Sequence, residues 1–122
     1  MATMVSPSLL SADFLNLSKD VTMINNSDAD WLHLDIMDGM FVPNISFGFS
    51  VLEALPKELR KPMDVHFMIM HPEDYIERTA KIGAMSMNVH VEACGERTRD
   101  ILEKIHAAGM KAGVTLNPST PV

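Results

Sequence analysis

Apolar residues in this chain gather in short runs. They begin near Val5, Trp31, Met63, Met85 and Lys111, each too short for a helix and bounded by proline, glycine or polar residues, which predicts five strands. Between the runs the spacing changes. Phe14, Leu17, Val21 and Ile24 recur at helical intervals in the first gap, and Ile101, Leu102, Ile105 and Ala108 in the last, predicting amphipathic helices with one buried face. Ser50 followed by Glu53 predicts a capping box at a second helix, and Pro72 suits the first turn of a third, where its missing N–H costs nothing. Gly83 and Gly109 fall where a left-handed residue would end the third and fourth helices.

Strand starts recur roughly every 20 to 30 residues, the length of a βα unit, and such alternation implies a parallel sheet covered by helices. The fold class is therefore α/β. No G-x-G-x-x-G or P-loop pattern follows the first strand, so a dinucleotide-binding sheet loses its main support.

Composition narrows the function classes. Hydrophobic residues make up 47% and charged residues 21% of 122 residues, which suits one globular domain over residues 1–122 and not a disordered chain. A formal net charge of −6 argues against nucleic acid or an anionic membrane as a partner. Cys94 is the single cysteine, so no intrachain disulfide can form, and it reads as a small buried thiol. Met1 to Leu10 carry no basic region followed by a long apolar one, so a cytoplasmic location is expected. Eleven methionines are many for this length, and gap filling in a core is their ordinary use.

Polar residues then interrupt the apolar runs in a regular way. Ser6 and Ser8 belong to the first run, His33 and Asp35 to the second, Asp64 and His66 to the third, and Asn88, His90 and Glu92 to the fourth. Members of each set are two apart, so each set points to one side of its strand. Strands of a parallel sheet are covered on both faces, and charges there demand mutual pairing, a metal or a ligand. His33, Asp35 and His66 offer two imidazoles and a carboxylate, a donor set suited to Zn, Fe, Mn or Co with a position left open. H-x-D is a short motif, however, and a histidine such as His90 taken alone most often satisfies a structural hydrogen bond.

Longer stretches carry a resemblance. Ser6 to Phe14 (S-P-S-L-L-S-A-D-F), His33 to Asn44 (H-L-D-I-M-D-G-M-F-V-P-N), Asp64 to Ile69 (D-V-H-F-M-I), His90 to Ala93 (H-V-E-A) and Lys111 to Pro118 (K-A-G-V-T-L-N-P) follow one another as in the ribulose-phosphate 3-epimerase family, which the chain resembles. The resemblance implies a TIM (β/α)₈ barrel that interconverts D-ribulose 5-phosphate and D-xylulose 5-phosphate in the pentose phosphate pathway with one divalent metal cation. It implies His33, Asp35 and His66 as metal ligands, Asp35 also as one of two acid/base carboxylates, and Ser8, His33, His66, Met37 and Met68 as substrate contacts. Core filling is an equal alternative for the two methionines. It further implies a sugar-phosphate substrate and homo-oligomerisation. An allulose-6-phosphate 3-epimerase would share the triad; the H-V-E-A run at His90 favours the pentose substrate.

Asp38-Gly39 and Phe41 to Asn44 are expected to form the loop after the second strand, with Gly39 at positive φ, and Asp64 to be a hydrogen-bonded interior group. About five strands and four helices account for 122 residues, whereas such barrels take about 250. The expectation is therefore an incomplete barrel, its N-terminal portion, without the C-terminal strands that in the family bring the second catalytic aspartate and the phosphate site. Such a piece is expected not to epimerise alone, and a non-catalytic fragment acting through assembly at its open edge is a further reading.

Overall fold

A computed structural model describes residues 2–122; Met1 lies outside them. Helix α1 (Leu17–Asn25) leads into β1 (Leu32–Met37), α2 (Phe49–Leu52), β2 (Met63–Met68), α3 (Ile76–Lys81), β3 (Ser86–His90), α4 (Val91–Cys94), α5 (Thr98–Ala107) and β4 (Lys111–Thr115). The four strands form one parallel sheet in the order β1-β2-β3-β4, and the sheet does not close. This is the α/β architecture of a partial TIM barrel.

Burial alternates along β1 and β2 because successive side chains leave opposite faces. Leu32, Leu34, Ile36, Val65, Phe67, Met87 and Val89 are buried on the helix side, in one core with Val21, Leu52, Leu55, Ile76, Ile101 and Ile105 from the covering helices. Each such side chain contributes about 1.5–3 kcal/mol of transfer free energy, enough to hold the register firmly. His33, Asp35, Met37, Asp64, His66 and Met68 consequently share the other face.

Four strands replace the five expected. Val5 to Ser8 runs beside β1, with the carbonyls of Val5 and Pro7 accepting from Trp31 and His33 and one parallel bridge between Ser8 and His33. Pro7 has no N–H to return, so the ladder stays at that bridge. The last crossover holds two helices because Gly95, at φ +56°, breaks the single turn α4 from α5. The capping box is also absent. Gly48 is the N-cap of α2, Ser50 lies inside the helix, and the Glu53 carboxylate accepts from Arg78 at 2.8 Å.

Pro72 opens the 3₁₀ turn that precedes α3, and Gly83 and Gly109 follow α3 and α5 at φ +84° and +91°, as their spacing predicts. Among the methionines, core filling accounts for Met63, Met87 and Met110, while Met4, Met23, Met40 and Met70 are exposed. Cys94 is a buried thiol, and burial pushes its pKa up. Among the described residues no helix is long and apolar enough to cross a membrane.

Candidate metal and active site

Register, more than sequence distance, builds the site. Pairing β1 with β2 sets His33 beside Asp64, Asp35 beside His66 and Met37 beside Met68. Asp35 is the hub. Its Oδ1 lies 3.0 Å from both His33 Nε2 and His66 Nδ1, and its Oδ2 accepts from Ser8 Oγ at 3.0 Å. Four of the residues expected in the site are thus joined directly, and Met37 and Met68 follow two positions further along the same face.

Hydrogen bonds from His33 first, then from His66, outweigh burial and hold the Asp35 carboxyl well below the usual carboxylate range. His33 moves the opposite way. Its ring lies between Asp35 and Asp64, with Nδ1 2.9 Å from Asp64 Oδ2, and the bonds to Asp35 and then Asp64 push its pKa up to about 10. An imidazolium there would balance the two carboxylates, and its Nε2 proton is the one that a bound metal ion would displace.

Asp64 is the interior group expected. Besides His33 it accepts from Ser86 Oγ at 2.5 Å and Asn88 Nδ2 at 2.8 Å, and these bonds, led by that of His33, hold its pKa below the ordinary value. Its oxygens are committed to orienting His33 and to β3. Gly113 on β4 makes room, because a Cβ there would lie 1.9 Å from Asn88 Oδ1.

His33, Asp35 and His66 each offer one donor atom, and these atoms lie within 4.8 Å of one another. Two imidazole nitrogens and one carboxylate oxygen, half-buried and converging, fit a divalent cation with a coordination position left for a further ligand. Asp64 behind His33 is the outer carboxylate that such sites use to aim an imidazole.

The loop after β1 closes one side. Asp38 Oδ1 accepts from the N–H groups of Met40 and Phe41, and Oδ2 from that of Met70 in the loop after β2, each at 2.8 Å. Gly39 turns there at φ +74°, as expected. Ser46 Oγ donates to the Asp35 carbonyl at 2.6 Å and accepts from Met37 N–H, tying the loop back to β1.

Comparison with known proteins adds the lineage. The model of the ribulose-phosphate 3-epimerase family matches residues 4–122. The chain belongs to that family. It is 42% identical over 99% of its length to a cytoplasmic isoform of ribulose-phosphate 3-epimerase from rice, Oryza sativa subsp. japonica. It is 48% identical over 97% of its length to ribulose-phosphate 3-epimerase of Bacillus subtilis, and 45% identical over 97% to that of Synechocystis. It covers 53%, 54% and 52% of those three proteins, so the chain spans about half the length of the relatives it matches.

The sequence left part of the wiring around His33, Asp35 and His66 unannounced. The H-x-D and D-x-H spacings exposed the donors, but nothing in them showed that Asp64 would reach His33, or that His66 Nε2 would meet His90 Nε2 at 2.8 Å. The only signal was the alternate polar pattern Asn88, His90, Glu92 on the neighbouring run.

Proposed function

We propose that residues 1–122 are a single domain, the N-terminal portion of a barrel enzyme that interconverts D-ribulose 5-phosphate and D-xylulose 5-phosphate. The observation that carries the reading is the convergence of His33, Asp35 and His66 on one face of the sheet. The names of the relatives support the substrate, and the same triad would serve allulose 6-phosphate.

Inverting a carbon beside a carbonyl requires removing a weakly acidic C–H proton and returning one to the opposite face. Asp35 is one of the two groups. Its carboxylate is ionised and held in place by His33, His66 and Ser8, ready to take the proton. Ser8 Oγ, already bonded to Asp35, also contacts the sugar. Met37 and Met68 crowd the reacting carbon with soft side chains that carry no exchangeable proton. One divalent cation (Zn, Fe, Mn or Co) held by His33, Asp35 and His66 would polarise the carbonyl as a Lewis acid and offset the charge that grows on the sugar oxygens.

The second acid/base group must face Asp35 from the other side of the sugar. Asp64 is spent on His33, Ser86 and Asn88, so it does not fill that role. The C-terminal half of the barrel supplies the group, and residues 1–122 alone do not epimerise. A cytoplasmic, homo-oligomeric enzyme is the form we expect. Assembly through the open edge is a second reading, favoured by Val114 on β4 and Leu116 just after it, which lie 44% and 37% exposed.

The test is to add ribulose 5-phosphate to the 122-residue chain and follow xylulose 5-phosphate, then repeat with the C-terminal half of the Bacillus subtilis relative co-expressed. We expect no turnover in the first case, and turnover with about one divalent ion per chain in the second. Substantial turnover by the chain alone would contradict the need for a second carboxylate.

A further inference from the structure

Resting on the metal reading above, we infer that His90 and Glu92 are positioning residues: they form a carboxylate–imidazole–imidazole relay that turns the lone pair of His66 Nδ1 toward the cation. His66 Nε2 and His90 Nε2 lie 2.8 Å apart. The ring centroids are 4.9 Å apart and the planes differ by 24°. That separation exceeds the N···N distance by nearly two ring radii, so the rings meet edge to edge, close to coplanar, as a hydrogen bond requires. Two N–H groups would collide there and two lone pairs would repel, so one proton sits between the nitrogens.

Which ring owns that proton is decided at the far end. His90 Nδ1 faces Glu92 Oε1 at 3.3 Å, and the same oxygen accepts from the Asn117 N–H at 2.7 Å, which clamps it. A carboxylate only accepts, so it favours the proton of a neutral His90 on Nδ1. His90 Nε2 then bears a lone pair and takes the N–H of His66 Nε2, leaving His66 Nδ1 as a donor of electrons. That nitrogen is the one beside Asp35 Oδ1. The reverse order would aim a lone pair of His90 at Glu92 and an N–H of His66 at the cation. In the metal-free chain Asp35 pulls toward that reverse order, so the relay acts when His66 must serve as a ligand.

Local structure makes the relay specific. His90 ends β3 and is 5% exposed, so solvent cannot replace its ring. Phe41 from the loop after β1 packs on it with centroids 5.0 Å apart. Glu92 lies in the first turn of α4, which brings its carboxylate back over the strand end.

Histidine ¹⁵N spectra recorded during a Zn²⁺ titration of the chain test this. With zinc bound, the wild type should show His66 protonated on Nε2 and His90 on Nδ1. His90→Leu should weaken zinc binding by about 10- to 100-fold, the usual effect of losing an outer partner, and His90→Gln, whose amide oxygen accepts the same bond, should recover most of it. Backbone amide spectra report whether each variant is folded; if His90→Leu is not, Glu92→Gln should weaken zinc binding several-fold and leave the His90 proton divided between its nitrogens. Zinc affinity of a folded His90→Leu equal to wild type, or a zinc-loaded wild type with His90 protonated on Nε2, would overturn the relay while leaving the metal site intact. No zinc uptake by the wild type would overturn the metal reading and the relay with it.

Discussion

At the scale of single residues, Asp35 and Gly113 show two ways in which one position governs the site. Asp35 holds two imidazoles and a hydroxyl at once, and in the proposed reaction it also carries the proton. In a barrel completed by a relative's C-terminal half, Asp35→Asn should lower kcat by orders of magnitude, measured as xylulose 5-phosphate formed per unit time. Near wild-type turnover would remove Asp35 from the mechanism. Gly113 acts through space alone. A methyl group there meets Asn88, which must then abandon Asp64, so Gly113→Ala should destabilise the fold by about 1–3 kcal/mol. An unchanged urea midpoint would mean that Asn88 swings aside freely.

At the scale of elements, the loop after β1 is tied by a carboxylate. Burial pushes the Asp38 pKa up, but the N–H groups of Met70, Phe41 and Met40 outweigh it and hold the group below its ordinary value of 3.8. A depressed folded pKa gives stability that is complete above the unfolded value and is lost as pH falls through the folded one. The two site loops should therefore loosen below about pH 4, near the unperturbed carboxylate range, and Asp38→Asn should loosen them at neutral pH. Amide exchange at Met40, Phe41 and Met70 measures this; equal protection in the variant at pH 7 would show that the carboxylate charge is dispensable. The helices and strands themselves were readable from periodicity, because the buried face of each leaves a repeat of about 3.6 or 2 in the chain. The exceptions fall at Pro7, which halts the first ladder, and at Ser50, which lies two residues past the N-cap of α2 and so cannot cap it.

For the whole molecule, the sheet has one long open edge. β4 pairs with β3 on one side only, and Ala112, Val114 and Leu116 are exposed where a further helix would pack. Unpaired parallel edges recruit other chains. The 122-residue chain should self-associate at micromolar concentration, seen by light scattering, and Val114→Lys should shift it toward monomer. A wild-type monomer at all concentrations would show that the edge is self-sufficient. The amino-acid order by itself determined the alternation of strands and helices, the face on which His33, Asp35 and His66 stand, and their donor chemistry. Side-chain alternation and hydrophobic burial are local properties, legible residue by residue. Partner choice is not local. That Asp64 grips His33, that His66 meets His90, and that Asn88 needs the bare backbone of Gly113 depend on how strands more than twenty residues apart align, and only the packed core of the folded sheet sets that alignment.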